Sequence, residues 1–200
     1  MTFNYQRYGS YKGSDRAVSE KTGRFDMNAS LLIGDALYTF TSFTFTNAGL
    51  QGNSGPSLAT LTASYDTATY PWLLDTSFFN MVTNGIQQWT VPASATYRFN
   101  MEGATGGIHG GSFRPAFPGA GAVIQFDYSL TKGDVLNIVV GQKPQSVTSS
   151  SGNGSGGGGA SWVYTGSIGG SGLIGVAGGG GGTGHGSSST TGGNGSGGNN

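Results

Sequence analysis

TYRFNMEGATGG, residues 96–107, puts the two halves of the folding problem side by side. From Thr96 to Glu102, Tyr97, Phe99 and Met101 share one face while Thr96, Arg98 and Asn100 share the other. That period of two is the mark of a half-buried β-strand. From Gly103 onward the composition changes. Of the chain's 40 glycines, 32 lie beyond residue 102, against an average usage of about 7%. The sequence therefore has to explain a conventional strand pattern and a large, uneven glycine excess within 200 residues.

Working outward from this stretch, the same alternation recurs. In TSFTFT, 41–46, Phe43 and Phe45 alternate with threonines. Ile86–Val91 reads as a strand stopped by Pro92. In AVIQFDY, 122–128, Ile124, Phe126 and Tyr128 face in while Gln125 and Asp127 face out. Lys132, Gly133 and Asp134 make a turn before VLNIVV, 135–140, whose Leu136, Ile138 and Val140 share a face. Asn53 to Pro56 is turn-like. SLATLTASY, 57–65, predicts a short helix, because Leu58, Leu61 and Tyr65 fall at i, i+3 and i+7. Short strands divided by Gly/Pro turns predict a mainly β domain over 38–142, an antiparallel sandwich or jelly roll. Its expected core holds Phe43, Phe45, Trp89, Tyr97, Phe99, Phe126 and Tyr128.

Residues 143–200 form a glycine-rich region. No Asp, Glu, Lys or Arg follows Lys143. SGNGSGGGG, 151–159, and AGGGGG, 177–182, stand out, with SWVY, 161–164, and LIGV, 173–176, as short strands between them. A Gly/Ser tract can be a flexible linker. Collagen is excluded, because glycine does not recur at every third position. The other reading is a set of packed, extended, polyglycine-II-like helices. Such helices make no internal hydrogen bonds, so each must pair with its neighbours.

Residues 1–37 read as an N-terminal arm. It carries Arg7, Lys12, Arg16, Lys21 and Arg24 among Tyr5, Tyr8, Tyr11 and Phe25, with Asp15, Glu20 and Asp26. Its apolar content is too thin for independent folding. Leu31, Leu32 and Ile33 precede the first clear strand. Two readings stand: a solvated arm, or a docking arm that orders on a partner. Tyr5, Arg7, Tyr8, Tyr11, Arg16, Arg24 and Phe25 would be the contacts, since tyrosine and arginine serve as interface anchors.

The composition points away from catalysis. The chain has no cysteine and only two histidines, His109 and His185, both among glycines and expected in exposed loops. A zinc site needs three or four N, S or O ligands, so no metal and no cofactor is expected. Asp66 and Asp75 flank Tyr70, Pro71 and Trp72 and are expected as turn or cap residues rather than a catalytic pair. GGSGLIG, 169–175, lacks the βαβ context of a dinucleotide loop. Serine is abundant, but there is no nucleophile elbow with a matching acid and histidine. Zero net charge gives no sign of nucleic-acid binding. No apolar stretch approaches the roughly 20 residues of a membrane span. No apolar leader follows Met1, which predicts assembly in a reducing cytoplasm. FRPAFP, 113–118, is a candidate contact loop through Phe113, Arg114 and Phe117, or alternatively a cap on the core.

A set of stretches in fixed order carries a resemblance. They are FTFT at 43–46, Gly55-Pro56, GIQQWTVPASATY at 85–97, GATGG at 103–107, KGDVLNIVVGQ at 132–142, GGGGASWVY at 156–164 and LIGVAGGGGG at 173–182. This set resembles the glycine-rich domain of the anaplastic lymphoma kinase and leukocyte tyrosine kinase receptors. It is more similar to the glycine-rich structural and tail-fibre proteins of tailed phages, particularly cyanophages. The resemblance implies a tumour-necrosis-factor-like sandwich with polyglycine helices built in, and no catalytic residues. It further implies a virion tail component that is assembled in the host cytoplasm. Its expected partners are other virion proteins, further copies of itself (a trimer, for instance) and a host surface receptor. Ala95 stands where the family often has glycine, and the family's cysteines are absent. The alternative is a secreted or cell-surface ligand-binding module, which would call for a signal peptide and disulfides.

Overall fold

The computed structural model of the chain describes residues 22–28, 35–109, 116–145, 154–184, 190–191 and 194–199. Among these the protein is mainly β, with two antiparallel sheets and one α-helix. The first sheet runs β2 (Ser42–Phe45), β1 (Arg24–Asn28), β5 (Ala95–Glu102), β7 (Val123–Leu130). The second runs β12 (Gly197–Asn199), β10 (Leu173–Ala177), β9 (Ser161–Tyr164), β8 (Val135–Val139), β4 (Ile86–Thr90), β3 (Phe79–Thr83). A small parallel pair joins β6 (Ala116–Phe117) to β11 (Thr190–Thr191).

The alternation read from the sequence sets the registers. In β5 and β7, Tyr97 lies opposite Tyr128, Phe99 opposite Phe126, and Met101 opposite Ile124. The Phe99 and Phe126 rings stack with centroids 5.1 Å apart. From the second sheet, Trp89, Leu136, Ile138, Val163 and Ile174 meet them in one shared core. Trp89 contacts rings of the first sheet, at 5.6 Å from Tyr97 and 6.3 Å from Phe45. Gly175 makes room for Phe126: a Cβ there would lie 2.6 Å from the ring's Cζ.

The helix forms where the spacing predicts it. α1 spans Leu58–Ser64, and the Ser57 hydroxyl caps it by accepting from the Thr60 N–H at 3.2 Å. Leu61 is fully buried, and Leu58 and Tyr65 pack on the core. A following 3-10 turn, Pro71–Leu74, buries Trp72, which stacks on Tyr38 at 5.1 Å. Asp66 and Asp75 cap local turns through the Thr69 and Ser77 backbone N–H groups, as expected.

Two boundaries differ from those expected. Residues 24–28 are not part of an arm. β1 is an interior strand of the first sheet, with Phe25 opposite both Phe45 and Met101. Phe25 is fully buried, and Arg24 pairs with Asp26 on the outer face at 2.6 Å. Its apolar alternation is only Phe25 and Met27, too short a pattern to separate from an arm. Tyr5, Arg7, Tyr8, Tyr11, Arg16 and the run 31–33 lie outside the described residues. The division at 142/143 also fails, because β9, β10 and β12 from the glycine-rich half complete the second sheet.

One buried tyrosine, Tyr97, and two half-buried ones, Tyr38 and Tyr65, make the core sensitive to high pH. Burial first, then the charge of Tyr97, pushes Tyr38 up, and its hydroxyl donates to the Thr90 carbonyl. Tyr65 and Tyr97 are each pushed up to about 12, chiefly by burial. A folded pKa above the unfolded value of about 10 adds stability below pH about 10 that is lost as pH rises. Asp127, hydrogen-bonded by Arg98, is held low, so its contribution is lost on acidification, but this exposed pair contributes little. Denaturant midpoints measured against pH should therefore be nearly flat from about pH 5 to 9 and fall steeply between about 10 and 12. A collapse beginning near neutrality would contradict this picture of the core.

Candidate functional site: a glycine lattice beside an uncharged sheet

Six strands run straight on into glycine segments. β5 continues as 103–107, and 118–122 leads back into β7. β8 continues as 141–145, and 154–160 leads into β9. β10 continues as 178–184, and 194–196 leads into β12. Among the described residues the chain thus passes from the sheets into glycine segments three times and returns from them three times.

These segments bond to one another with a period of three. Gly103 and Gly106 donate to the Ala122 and Gly119 carbonyls at 2.9 and 3.0 Å. Ala104 and Gly107 donate to Gly159 and Gly156, both at 2.9 Å. The carbonyls of Ala104 and Gly107 accept from Gly180 and Thr183 at 2.9 and 3.1 Å. Each set repeats after three residues, the turn length of a polyproline-II-type helix. Segment 178–183 also bonds to Ser196, Ala122, Gly119, Gly158 and Ser155, so it touches four other segments and occupies the centre.

Space, not handedness, requires glycine here. The described glycines with positive φ, such as Gly85 and Gly133, sit in turns outside the lattice. In the lattice the constraint is distance. A Cβ on Gly180 would lie 1.9 Å from the Gly119 carbonyl oxygen, and one on Gly106 2.0 Å from that of Gly181. With no side chain, the Cα–H bonds point at those oxygens, a weak attractive contact.

Ser161 closes the junction between sheets and lattice. It is fully buried at the start of β9. Its hydroxyl accepts from the Gly141 N–H at 3.0 Å and donates to the Glu102 carbonyl at 2.6 Å. The Gly141 carbonyl accepts from Gly23 N–H at 2.9 Å and from Asn47 Nδ2 at 2.7 Å. One serine and one glycine carbonyl therefore tie β1, β5, β8 and β9 together. Sequence reading missed Ser161, because one serine before Trp162 looks like any other. His109 was expected in an exposed loop and is instead 2% exposed. Its N–H donates to Thr183 Oγ1 at 3.0 Å, since GATGG runs into the lattice rather than into solvent.

The outer faces of the sheets contrast. The first carries the Arg24–Asp26 pair and the bidentate Arg98–Asp127 pair, at 2.8 Å for both bonds. A polar recess of about 230 Å³ lies between Arg24, Asp26, Ser42, Thr44 and Asn100. Its charges are already matched. The second sheet contains no Asp, Glu, Lys or Arg in any strand. Beside it, an open groove of about 540 Å³ is lined by Gly52, Val139, Gln142, Pro144, Gly158 and Ala160, among others. Of the expected contact loop, Phe117 is 43% exposed on β6, and Phe113, Arg114 and also His185 lie outside the described residues.

Among the described residues no three His, Cys, Asp or Glu gather to hold a metal, and no helix is long and apolar enough to cross a membrane. No protein-family model matches the chain.

Substitution separates a spatial from a conformational role for glycine. Gly180→Ala should cost more than ~3 kcal/mol, because backbone must move to admit the methyl group. Gly198→Ala, with nothing within 4 Å of its Cβ, should change stability by less than ~0.5 kcal/mol. Urea titrations of the two variants give the comparison. Equal, small effects would show that the lattice is loose.

Proposed function

We propose that the chain is a non-enzymatic structural protein of a virion, a tail-fibre or baseplate component that serves assembly or host attachment. We further propose that its two sheets form a jelly roll of the tumour-necrosis-factor-like type, with the glycine segments as a built-in polyglycine-II-like bundle. The observation that carries this reading is the lattice itself: six segments, anchored in both sheets, joined almost wholly by backbone hydrogen bonds. Such a bundle offers stiffness and few side chains to a protease or a small-molecule substrate. It also agrees with the fold that the ordered sequence stretches imply. The partners that follow are other virion proteins, further copies of the chain, and a host receptor, with no nucleic acid and no cofactor.

Immunogold labelling of particles from the source culture, with antibody to this chain, tests the reading. Gold on tails or fibres is the expected result. Gold confined to cell envelopes, with bare particles, would overturn it in favour of a cell-surface binding module.

A further inference from the structure

The outer face of the second sheet carries an apolar row set by strand register. Ile86 lies opposite Val139, Val139 opposite Trp162, and Trp162 opposite Val176, across four adjacent strands. Their neighbours Val163 and Ile138 point into the core, so these four point away from it. Trp162 is 39% exposed, whereas Trp72 and Trp89 are buried. Val139 belongs both to this row and to the lining of the 540 Å³ groove, so the groove adjoins the strand residue opposite Trp162.

We propose that this face is where a second copy of the chain docks, with Trp162 of each copy seated against the groove of the other. This deepens the virion reading, which calls for copies of the chain to associate, by naming the surface. Charge argues for a copy. No strand of this sheet carries a charge, so two such faces meet with no like charges opposed and no ion stripped of water. The opposite sheet holds Arg24, Asp26, Arg98 and Asp127, already paired with one another, and an interface there would have to strip water from those ions. Size agrees. Six strands about 4.8 Å apart and three to five residues long project about 430 Å², less the part near Asn137 that the loop at Gly166 covers. That is the same order as the ~800 Å² each partner gives to a stable interface. A tryptophan beside an apolar recess is also the usual energetic centre of such an interface. Adjacent knob and recess on one patch suit a self-complementary pairing, in which each residue meets the reciprocal one on the copy.

Sedimentation equilibrium of the intact chain reads the association, and acrylamide quenching of tryptophan fluorescence reads the surface. The unaltered protein should show a mass of at least two chains at micromolar concentration, and its quenchable tryptophan should reappear on dilution. Trp162→Glu should weaken association by at least ~10-fold, as should Val176→Glu. Leu74→Glu, at an apolar side chain 66% exposed outside the sheet, should leave association unchanged. A monomer up to ~100 μM with a freely quenched tryptophan would overturn the proposal. So would variants at Trp162 and Val176 that associate as tightly as the parent. Because quenching needs no substitution, the proposal stays testable if a variant fails to fold. Gold on tails with a monomer in solution would remove this interface and keep the virion role; the reverse pair of results would do the opposite.

Discussion

Peptide groups in the described glycine segments pair with neighbouring segments, at every third residue, rather than within their own segment. Buried N–H and C=O groups must be paired. Each segment therefore needs neighbours on several sides, and the rest of the architecture follows from that need. Three out-and-back excursions supply six segments that start and finish in the sheets. The central segment, 178–183, is satisfied only because segments from both sheets converge on it.

That convergence links sequence composition to the shape of the core. Side chains hold two facing sheets about 10 Å apart. At the Phe99–Phe126–Trp89 level the aromatic rings fill that gap. Beyond Glu102 and Val140 glycine and alanine replace most of the large side chains, and chains from the two sheets come within hydrogen-bonding distance, as Ala104 does with Gly159 and Gly180. Ser161 sits where the spacing changes, with a side chain small enough for the narrowing gap and a hydroxyl that reaches both sides. The core and the lattice thus share one hydrogen-bonded framework, in which the glycine entropy cost is offset by bonds that no side chain could accompany.

Much of this was legible in the sequence. Strands β2, β4, β5, β7, β8, β9 and β10, the helix after Ser57, and the core aromatics from Phe43 to Phe126 follow from period and from short apolar runs alone. β1 was not legible, since two apolar residues beside Arg24 and Asp26 give no reliable period, and its place between β2 and β5 depends on partners remote in sequence. The pairing of the glycine segments was not legible: nothing in GATGG or PGAGA states that they pair with AGGGGG roughly 55 to 75 residues later. The buried positions of His109 and Ser161 are consequences of that pairing and were hidden for the same reason. The apolar row on the outer face depends on register across four strands, which no single stretch reveals.

Native-state amide hydrogen exchange, resolved by NMR, tests the central claim most directly. If the lattice is part of the cooperative core, the N–H groups of Gly106, Gly158 and Gly180 will exchange with the same opening free energy as those of Phe99 and Ile138. Exchange of the glycine amides at nearly unfolded rates, with the strands still protected, would contradict it and reduce the glycine segments to loops on a self-sufficient sandwich.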